Sequence, residues 1–461
     1  MYRNKNCARF TSTPQKMSSL ETVQALIVQN SIAAIRFEVV DIHGISHCRL
    51  VASRHFRDKA VDGASFCLRA LVCDPKGDTF QGSGFLEDDD CITYPVFETF
   101  QVLVWCQSTA RILVEPTIDG NLMPQFPRYV ARKQLERLAE FGYSLFSSHV
   151  YEFYLVEEKT KEVVDKSYNY AATSRICKLE AFVNLLLACL PRAGVDVECI
   201  DSERAPGQIK VTYKPAFGVG SADNAHTFKT MVKEIARRNG YVATFMSKPW
   251  PDQRGSASYF CHSLWSLKEH RNVIYDSTSE SNLSGVCEKW IAGILSHAQA
   301  ITALMAPTVN CYSRFIPSSL APINVSWGIE NCTCAIRVKV KGPKGSLIEN
   351  RIPSSGSNPY IVLAATVAAG LDGLTSNIPL QAGSAGDAYE QMDFSMEFPE
   401  LPTSLEQALS VLKSDAVITD ALGKDFIDFY VAAKTHECEL GKKASNAGND
   451  SWEEETYFDT L

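Results

Sequence analysis

Four segments of the 461-residue chain carry side chains that could do chemistry. The first is Val150-Tyr-Glu152-Phe-Tyr-Leu. The second runs from Val197 to Lys210 (VECIDSERAPGQIK) and holds Glu198, Glu203 and Lys210. The third, Lys248 to Leu264 (KPWPDQRGSASYFCHSL), holds Arg254, Tyr259, Cys261 and His262. The fourth, Asn310 to Arg351, contributes Arg314, Leu320, Cys332, Arg337, Glu349 and Arg351. Carboxylates and imidazoles suit hard or borderline cations such as magnesium or manganese. Arginines stabilise a transferring phosphoryl group. A leucine can do neither, and a lysine facing a divalent ion repels it.

The elements that must position these residues follow from periodicity. Ala33–Asp41, a turn at His43-Gly44 and Ile45–Val51 read as a β-hairpin. A short helix is predicted from Glu21 to Asn30, and strands at Cys91–Tyr94 and Gln101–Trp105. Beyond Arg111 strands alternate with long helices. Glu152–Val156 is an apolar strand, and helices are expected at Tyr129–Phe141, Thr173–Leu190, His226–Asn239, Asn282–Met305 and Pro359–Leu374, with Pro307 and Gly373 punctuating two helix ends. This pattern predicts an α+β or α/β body behind a small β-rich domain. The expected division is a disordered tail over 1–17, a first domain over 18–112, a second over 113–440 and an acidic tail over 441–461.

Composition narrows the class. At 45% hydrophobic and 21% charged residues the chain reads as globular, and its net charge of −8 disfavours nucleic acid and anionic membranes as partners. The apolar run Pro359–Leu371 is too short for a bilayer and reads as a buried helix. The N-terminus is basic and polar without an apolar core, unlike a secretory signal. Fifteen cysteines lie singly, and Cys332-Thr-Cys334 has neither thioredoxin nor zinc-knuckle spacing, so no disulfide framework is expected and most are expected to be buried.

In order and spacing the four segments resemble the class I glutamine synthetases, over roughly residues 30–435. Supporting landmarks are Thr109-Ala110-Arg111, Pro127-Arg128, Asn358-Pro359-Tyr360 and Gly370-Leu-Asp-Gly373. The resemblance implies an N-terminal β-grasp domain and a C-terminal domain whose curved sheet forms half a barrel. It also implies six-membered rings stacked in pairs as a dodecamer, with active sites shared by neighbours. Such enzymes join ammonia to glutamate through a γ-glutamyl phosphate made from ATP, with two divalent metals.

Position by position, the resemblance implies losses. The first metal's three glutamates read Glu152, Glu203 and Lys210. The second metal's glutamate, histidine and glutamate read Val150, Tyr259 and Glu349. A histidine facing ATP is Cys261, while His262 beside it points to the opposite face of a strand. The acidic residue of the loop Pro317–Pro322 is Leu320, the ammonium-site aspartate aligns with Cys67, the asparagine that holds glutamate is Arg254, and a phosphoryl-site arginine is Cys332. Glu198, Arg314, Arg337 and Arg351 remain. At about 4 Å and an effective dielectric near 20, opposed unit charges interact by roughly 4 kcal/mol. A lysine facing a divalent ion therefore costs about 8 kcal/mol, and about 4 kcal/mol already removes a thousandfold of affinity.

The surviving acids and arginines have two readings: pairing with one another inside the barrel, or retained anion or nucleotide binding. Lys210 stands as a replacement for the metal's charge beside Glu152 and Glu203, and His149 reads as a surface or strand-end residue. The pattern of losses, the cysteines and the polar N-terminus resemble a lens branch of the family. That implies a cytoplasmic, catalytically inactive dodecamer, without cofactor or bound metal, acting as a structural or chaperone-like component towards intermediate filament proteins. The rivals are a ligand sensor that keeps nucleotide or carboxylate binding and a ligase joining glutamate to another amine.

Overall fold

The computed structural model describes residues 19–80, 90–390 and 398–461, so the tail expected over 1–17 lies outside the described residues. The chain forms two compact units. The smaller takes in 19–39, 47–67 and 90–122. It opens with the helix Leu20–Gln29, whose N-terminus is capped by the Ser19 side chain accepting from the Thr22 N–H at 3.2 Å. Its sheet is built on Thr109–Ile118, which pairs in parallel with Ala34–Val40 and antiparallel with Asp90–Pro95. Ala34–Val40 is flanked by Ser46–Ala52, and Asp90–Pro95 by Ala64–Cys67. Thr109–Ile118 is one unbroken ladder partner, and the unit closes only at Leu122, beyond the boundary at 112 read from sequence. The strand expected over Gln101–Trp105 is confined to Gln101–Val102.

The larger unit is organised by one fifteen-residue strand, Tyr143–Glu157. On it pair Ser258–Ser266 along nine positions, Gln208–Tyr213 along five, and the short strands Ala216–Phe217 and Tyr241–Thr244. The sheet continues through Leu347–Asn350, Ile336–Lys339 and Trp327–Ile329 on one side and Val197–Ser202 on the other. It curls as a half barrel, and helices cover one face, so the fold class is α+β. Tyr151 and Phe153 on that face pack against Phe228 and Phe245, with Phe228 supplied by the helix Gly220–Arg238.

The helix Pro359–Thr375 is buried on nearly every side, the signature of a helix that is apolar all round. Asn358 caps its N-terminus and Pro359 takes the first helical position, where a missing N–H costs nothing. Gly373 lies within this helix and does not punctuate its end. A Cβ there would stand 2.0 Å from the Lys289 carbonyl, and one at Gly293 would stand 2.3 Å from that of Ala369. These glycines let the helix Gly285–Ser296 approach backbone to backbone.

The single helix expected over 282–305 is two, Gly285–Ser296 and Ala298–Met305. The break is His297, whose Nδ1 and Nε2 are bonded to Asp415 at 2.6 Å and Asp372 at 3.0 Å. Likewise 173–190 divides at Leu179 into Thr173–Lys178 and Glu180–Cys189. The stretch 441–461 is not a tail. The helix Lys424–Asn446 ends inside it, a second helix covers Trp452–Tyr457, and Trp452, Tyr457, Phe458 and Leu461 pack into a core with Val156, Val242 and Met246. Its acidic residues conceal an apolar set at helical spacing. All fourteen described cysteines are free, and seven are buried rather than most.

The helix contact yields a test. Gly373→Ala forces a methyl into backbone atoms of the neighbouring helix and is expected to destabilise the larger unit by about 1–3 kcal/mol. Urea unfolding followed by tryptophan fluorescence measures it.

Candidate functional site

Strand register gathers the site. Residues directly opposite one another on neighbouring strands share a face, as do residues two apart on one strand. Glu152 stands opposite Lys210, and Val150 opposite Tyr259. Two residues on from Tyr259, Cys261 stands opposite Glu349, which in turn stands opposite Arg337. One sheet face therefore presents Val150, Glu152, Lys210, Tyr259, Cys261, Glu349 and Arg337 as a continuous row. They line a cavity of about 640 Å³ together with Glu198, Glu203, Arg254, Arg314, Leu320, Cys332 and Arg351.

At the first end of the row, the Lys210 ammonium donates to Glu203 Oε1 at 2.6 Å and lies 3.6 Å from Asp201. Burial acts to lower the lysine pKa, but the hydrogen bond and charge of Glu203, helped by Tyr170 and Asp201, outweigh it and raise it. This lysine is a fixed cation. Its ion partners are Glu203 and Asp201, not Glu152. Glu152, buried, instead accepts from the Ala257 N–H at 2.9 Å and from the Tyr259 hydroxyl at 3.0 Å. Burial, and then the charge of Glu203, push the Glu152 carboxyl up to about 7, against the Ala257 and Tyr259 hydrogen bonds.

The other end is crowded with cations. Glu349 is buried and meets Arg351, Lys339 and, at 3.8 Å, Arg337. Burial would raise its pKa, but Arg351 and Lys339 lower it, so it is ionised. The Arg351 guanidinium lies 4.4 Å from the centre of the Tyr259 ring. It also donates to the Leu320 carbonyl at 3.1 Å, while Arg254 donates to that of Ser319 at 3.4 Å. These two arginines hold the loop in which Leu320 adopts φ +66°, a left-handed conformation that is rare for a side chain of its bulk. Arg314, buried, donates into the carbonyls of Ile352 and Pro353 and packs over Gly255, where a Cβ would stand 2.5 Å from its Cγ. Cys261 Sγ faces Glu349 at 4.0 Å, and burial followed by that carboxylate pushes the thiol up to about 12.

The remaining candidates lie off the row. Cys67 is exposed on the strand Ala64–Cys67 of the smaller unit. Glu198 is exposed on Val197–Ser202 at the cavity wall. His149 is not at the surface. It is wholly buried, bonded to Ser258 Oγ at 2.6 Å and stacked on Tyr151, and burial, then Lys229, lower it to about 3. His262 accepts from the Trp290 indole at 3.0 Å, on the helix-covered face. Lys339 was not singled out from sequence. It stands two residues from Arg337 on one strand, a period-two signal that would have found it.

Residues 124–456 match the family model described as glutamine synthetase, catalytic domain. This chain belongs to the glutamine synthetase family. It is 35% identical to lengsin from Rattus norvegicus over 92% of this chain and 76% of that protein. It is 34% identical to lengsin from Homo sapiens, over 95% and 87%. With the glutamine synthetase of Thermotoga maritima it shares 30% identity over 95% of this chain and 99% of that one. Among solved structures it is similar to a GmaS/ADP complex, with a TM-score of 0.83 and 26% identity over 91% of this chain and 96% of that chain. Lengsins and glutamine synthetases both match along nearly the whole chain, so the likeness alone does not separate them.

The two divalent metals of glutamine synthetase chemistry do not fit the residues present. An ammonium sits on Glu203 where a cation would have to displace it, a phenol hydroxyl occupies Glu152, and Val150 offers no donor atom. Among the described residues no group of three or more His, Cys, Asp or Glu side chains converges to hold a metal ion.

Glu152 provides a pH test. Because its folded pKa is raised, its contribution is full below the unfolded value near 4.5 and is lost as pH rises through about 7. Melting temperatures measured from pH 5 to pH 8 are expected to shift progressively in favour of Glu152→Gln relative to the parent. A constant difference would show that Glu152 is ionised throughout.

Proposed function

We propose that this chain is a non-catalytic member of the glutamine synthetase family that works as a structural or chaperone-like assembly protein. The observation that carries the proposal is the Lys210 ammonium at 2.6 Å from Glu203, inside the carboxylate set where the family implies a divalent cation. Two unit charges at such range interact by several kcal/mol even at an effective dielectric of 20. The pair therefore opposes entry of a metal twice, by repulsion and by occupying the ligand. Tyr259 and Val150 remove the second set independently.

The same reading extends the family's ring assembly to this chain, as a dodecamer of two stacked six-membered rings in the cytoplasm, with the lens cytoskeleton and intermediate filament proteins as the partner class. The likeness to lengsins supports it. No helix among the described residues is long and apolar enough to cross a membrane. A second reading, a ligand sensor that binds nucleotide or carboxylate without turnover, is favoured by the surviving Arg314 and Arg351 in the cavity wall. A ligase joining glutamate to another amine would need the metals that Lys210 and Tyr259 oppose.

Purified protein is expected to form no glutamine or γ-glutamyl hydroxamate from ATP and glutamate in magnesium or manganese. Turnover that disappears in Glu203→Ala would overturn the proposal. Lys210→Glu is expected to gain manganese affinity without synthetase activity, since Val150, Tyr259 and Leu320 remain, and to melt at lower temperature without metal because three carboxylates then repel. Assembly is checked by light scattering at micromolar concentration, where a large ring-based particle is expected and a monomer would contradict it.

A further inference from the structure

Outside the cavity, one histidine joins several helical segments of the larger unit. His297 stands between the helices Gly285–Ser296 and Ala298–Met305. Its Nδ1 meets Asp415 Oδ2 at 2.6 Å, and its Nε2 meets Asp372 Oδ2 at 3.0 Å. Asp372 comes from the helix Pro359–Thr375. Asp415 follows the helix Leu405–Ser414 and caps the next, Ala416–Leu422, its Oδ1 accepting from the Ile418 N–H at 3.0 Å. The three side chains are only 8%, 15% and 15% exposed, so little water screens them. An ionised carboxylate only accepts hydrogen bonds, and a neutral imidazole carries a single N–H. Carboxylates on both ring nitrogens therefore demand two N–H groups, and the bridge closes only around an imidazolium. Burial acts to lower the His297 pKa, but the hydrogen bonds and charges of Asp415 and Asp372 outweigh it and raise it. Burial would likewise raise the Asp415 pKa, but the His297 hydrogen bond and the Ile418 N–H lower it. Other charges on these elements are engaged or directed elsewhere. Lys289 donates to Asn377 Oδ1 at 2.8 Å, and Glu406 meets Lys442 at 2.8 Å. Lys413 and Asp420 are exposed, Glu288 lies in the first turn of its helix, and Ala298–Met305 carries no charge.

We propose that this junction is a proton-operated latch, closed around neutral pH and released under alkaline conditions. What it fastens is the helical pair Leu405–Ser414 and Ala416–Leu422. Asp415 joins the two, one of its oxygens capping the second helix while the other holds the bridge. Loss of the ring proton turns a nitrogen lone pair toward one carboxylate and replaces an attraction by a repulsion in a nearly dry site. A raised folded pKa fixes the direction. The stabilisation is complete below the unfolded value near 6.5 and is lost as pH rises through the folded value. The latch is independent of what the cavity does.

Hydrogen–deuterium exchange of the full chain, read by mass spectrometry from about pH 6 to about pH 9 and corrected for the intrinsic exchange rate, tests it. The readout is local because Glu152 alters global melting over part of the same range. Peptides covering 405–422 are expected to lose roughly threefold or more in protection across that range, relative to peptides from Gly220–Arg238. His297→Arg supplies a permanent cation with donors for two carboxylates and is expected to flatten the pH dependence. Should that variant fail to fold, Asp415→Asn keeps a capping oxygen but removes one of the two charges. It is expected to move the loss of protection to lower pH. Protection of 405–422 that stays constant over the whole range would overturn the inference, as would the same pH profile in the parent and in a folded variant.

Discussion

The larger unit depends on the register of one strand. Tyr143–Glu157 is paired along most of its length, and a slip of one residue against Ser258–Ser266 would turn its own cavity residues, Val150 and Glu152, toward the helices. The opposite face forbids that slip. Tyr151, Phe153 and Phe260 are fully buried among aromatic rings, and His149 is fixed among them by Ser258. Apolar packing on one face thus holds a polar row in place on the other, whatever the polar row consists of. The frame therefore tolerates a lysine and a tyrosine in the row without being disturbed. The fold is secured behind the sheet, and the chemistry is displayed in front of it.

In front of the sheet, electrostatics replaces coordination. Lys210 answers Glu203, Tyr259 answers Glu152, and Arg351 with Lys339 answers Glu349. Each of these three carboxylates has a donor from the chain itself. A buried carboxylate without one would carry the full cost of its desolvation, so the exchange is what allows the surviving acids to stay. Removing Lys210 alone would leave Glu203 in the position that Lys210 now relieves.

Much of this was legible in the sequence, and the exceptions have physical causes. The helices at 127–140 and 359–375 and the strand through Glu152 follow from periodicity and caps. Val150, Glu152, Lys210, Tyr259, Cys261, Arg337 and Glu349 meet on one face because strand pairing is periodic. The His297 break was not legible, because it is enforced by Asp372 and Asp415 from distant helices. The C-terminal stretch was read as a tail because its charges dominate composition, whereas Trp452, Tyr457 and Leu461 decide its packing. His149 looked polar and peripheral; its burial depends on rings from other strands and helices. The assignment of Glu152 to Lys210 failed on reach, since opposite residues share a face while a long ammonium side chain chooses among neighbours.

The interlocking of Tyr259, Glu152, Lys210 and Glu203 also bears on mutational history. Each partner satisfies another, so a change at Lys210 leaves Glu203 without its cation and a change at Tyr259 takes a donor from Glu152. On the non-catalytic reading proposed above, a path to catalysis would have to cross several less stable intermediates. Such a site behaves as a ratchet. Neutral drift can continue around it, in the loop bearing Leu320 or at Cys332, without disturbing the interlocked four.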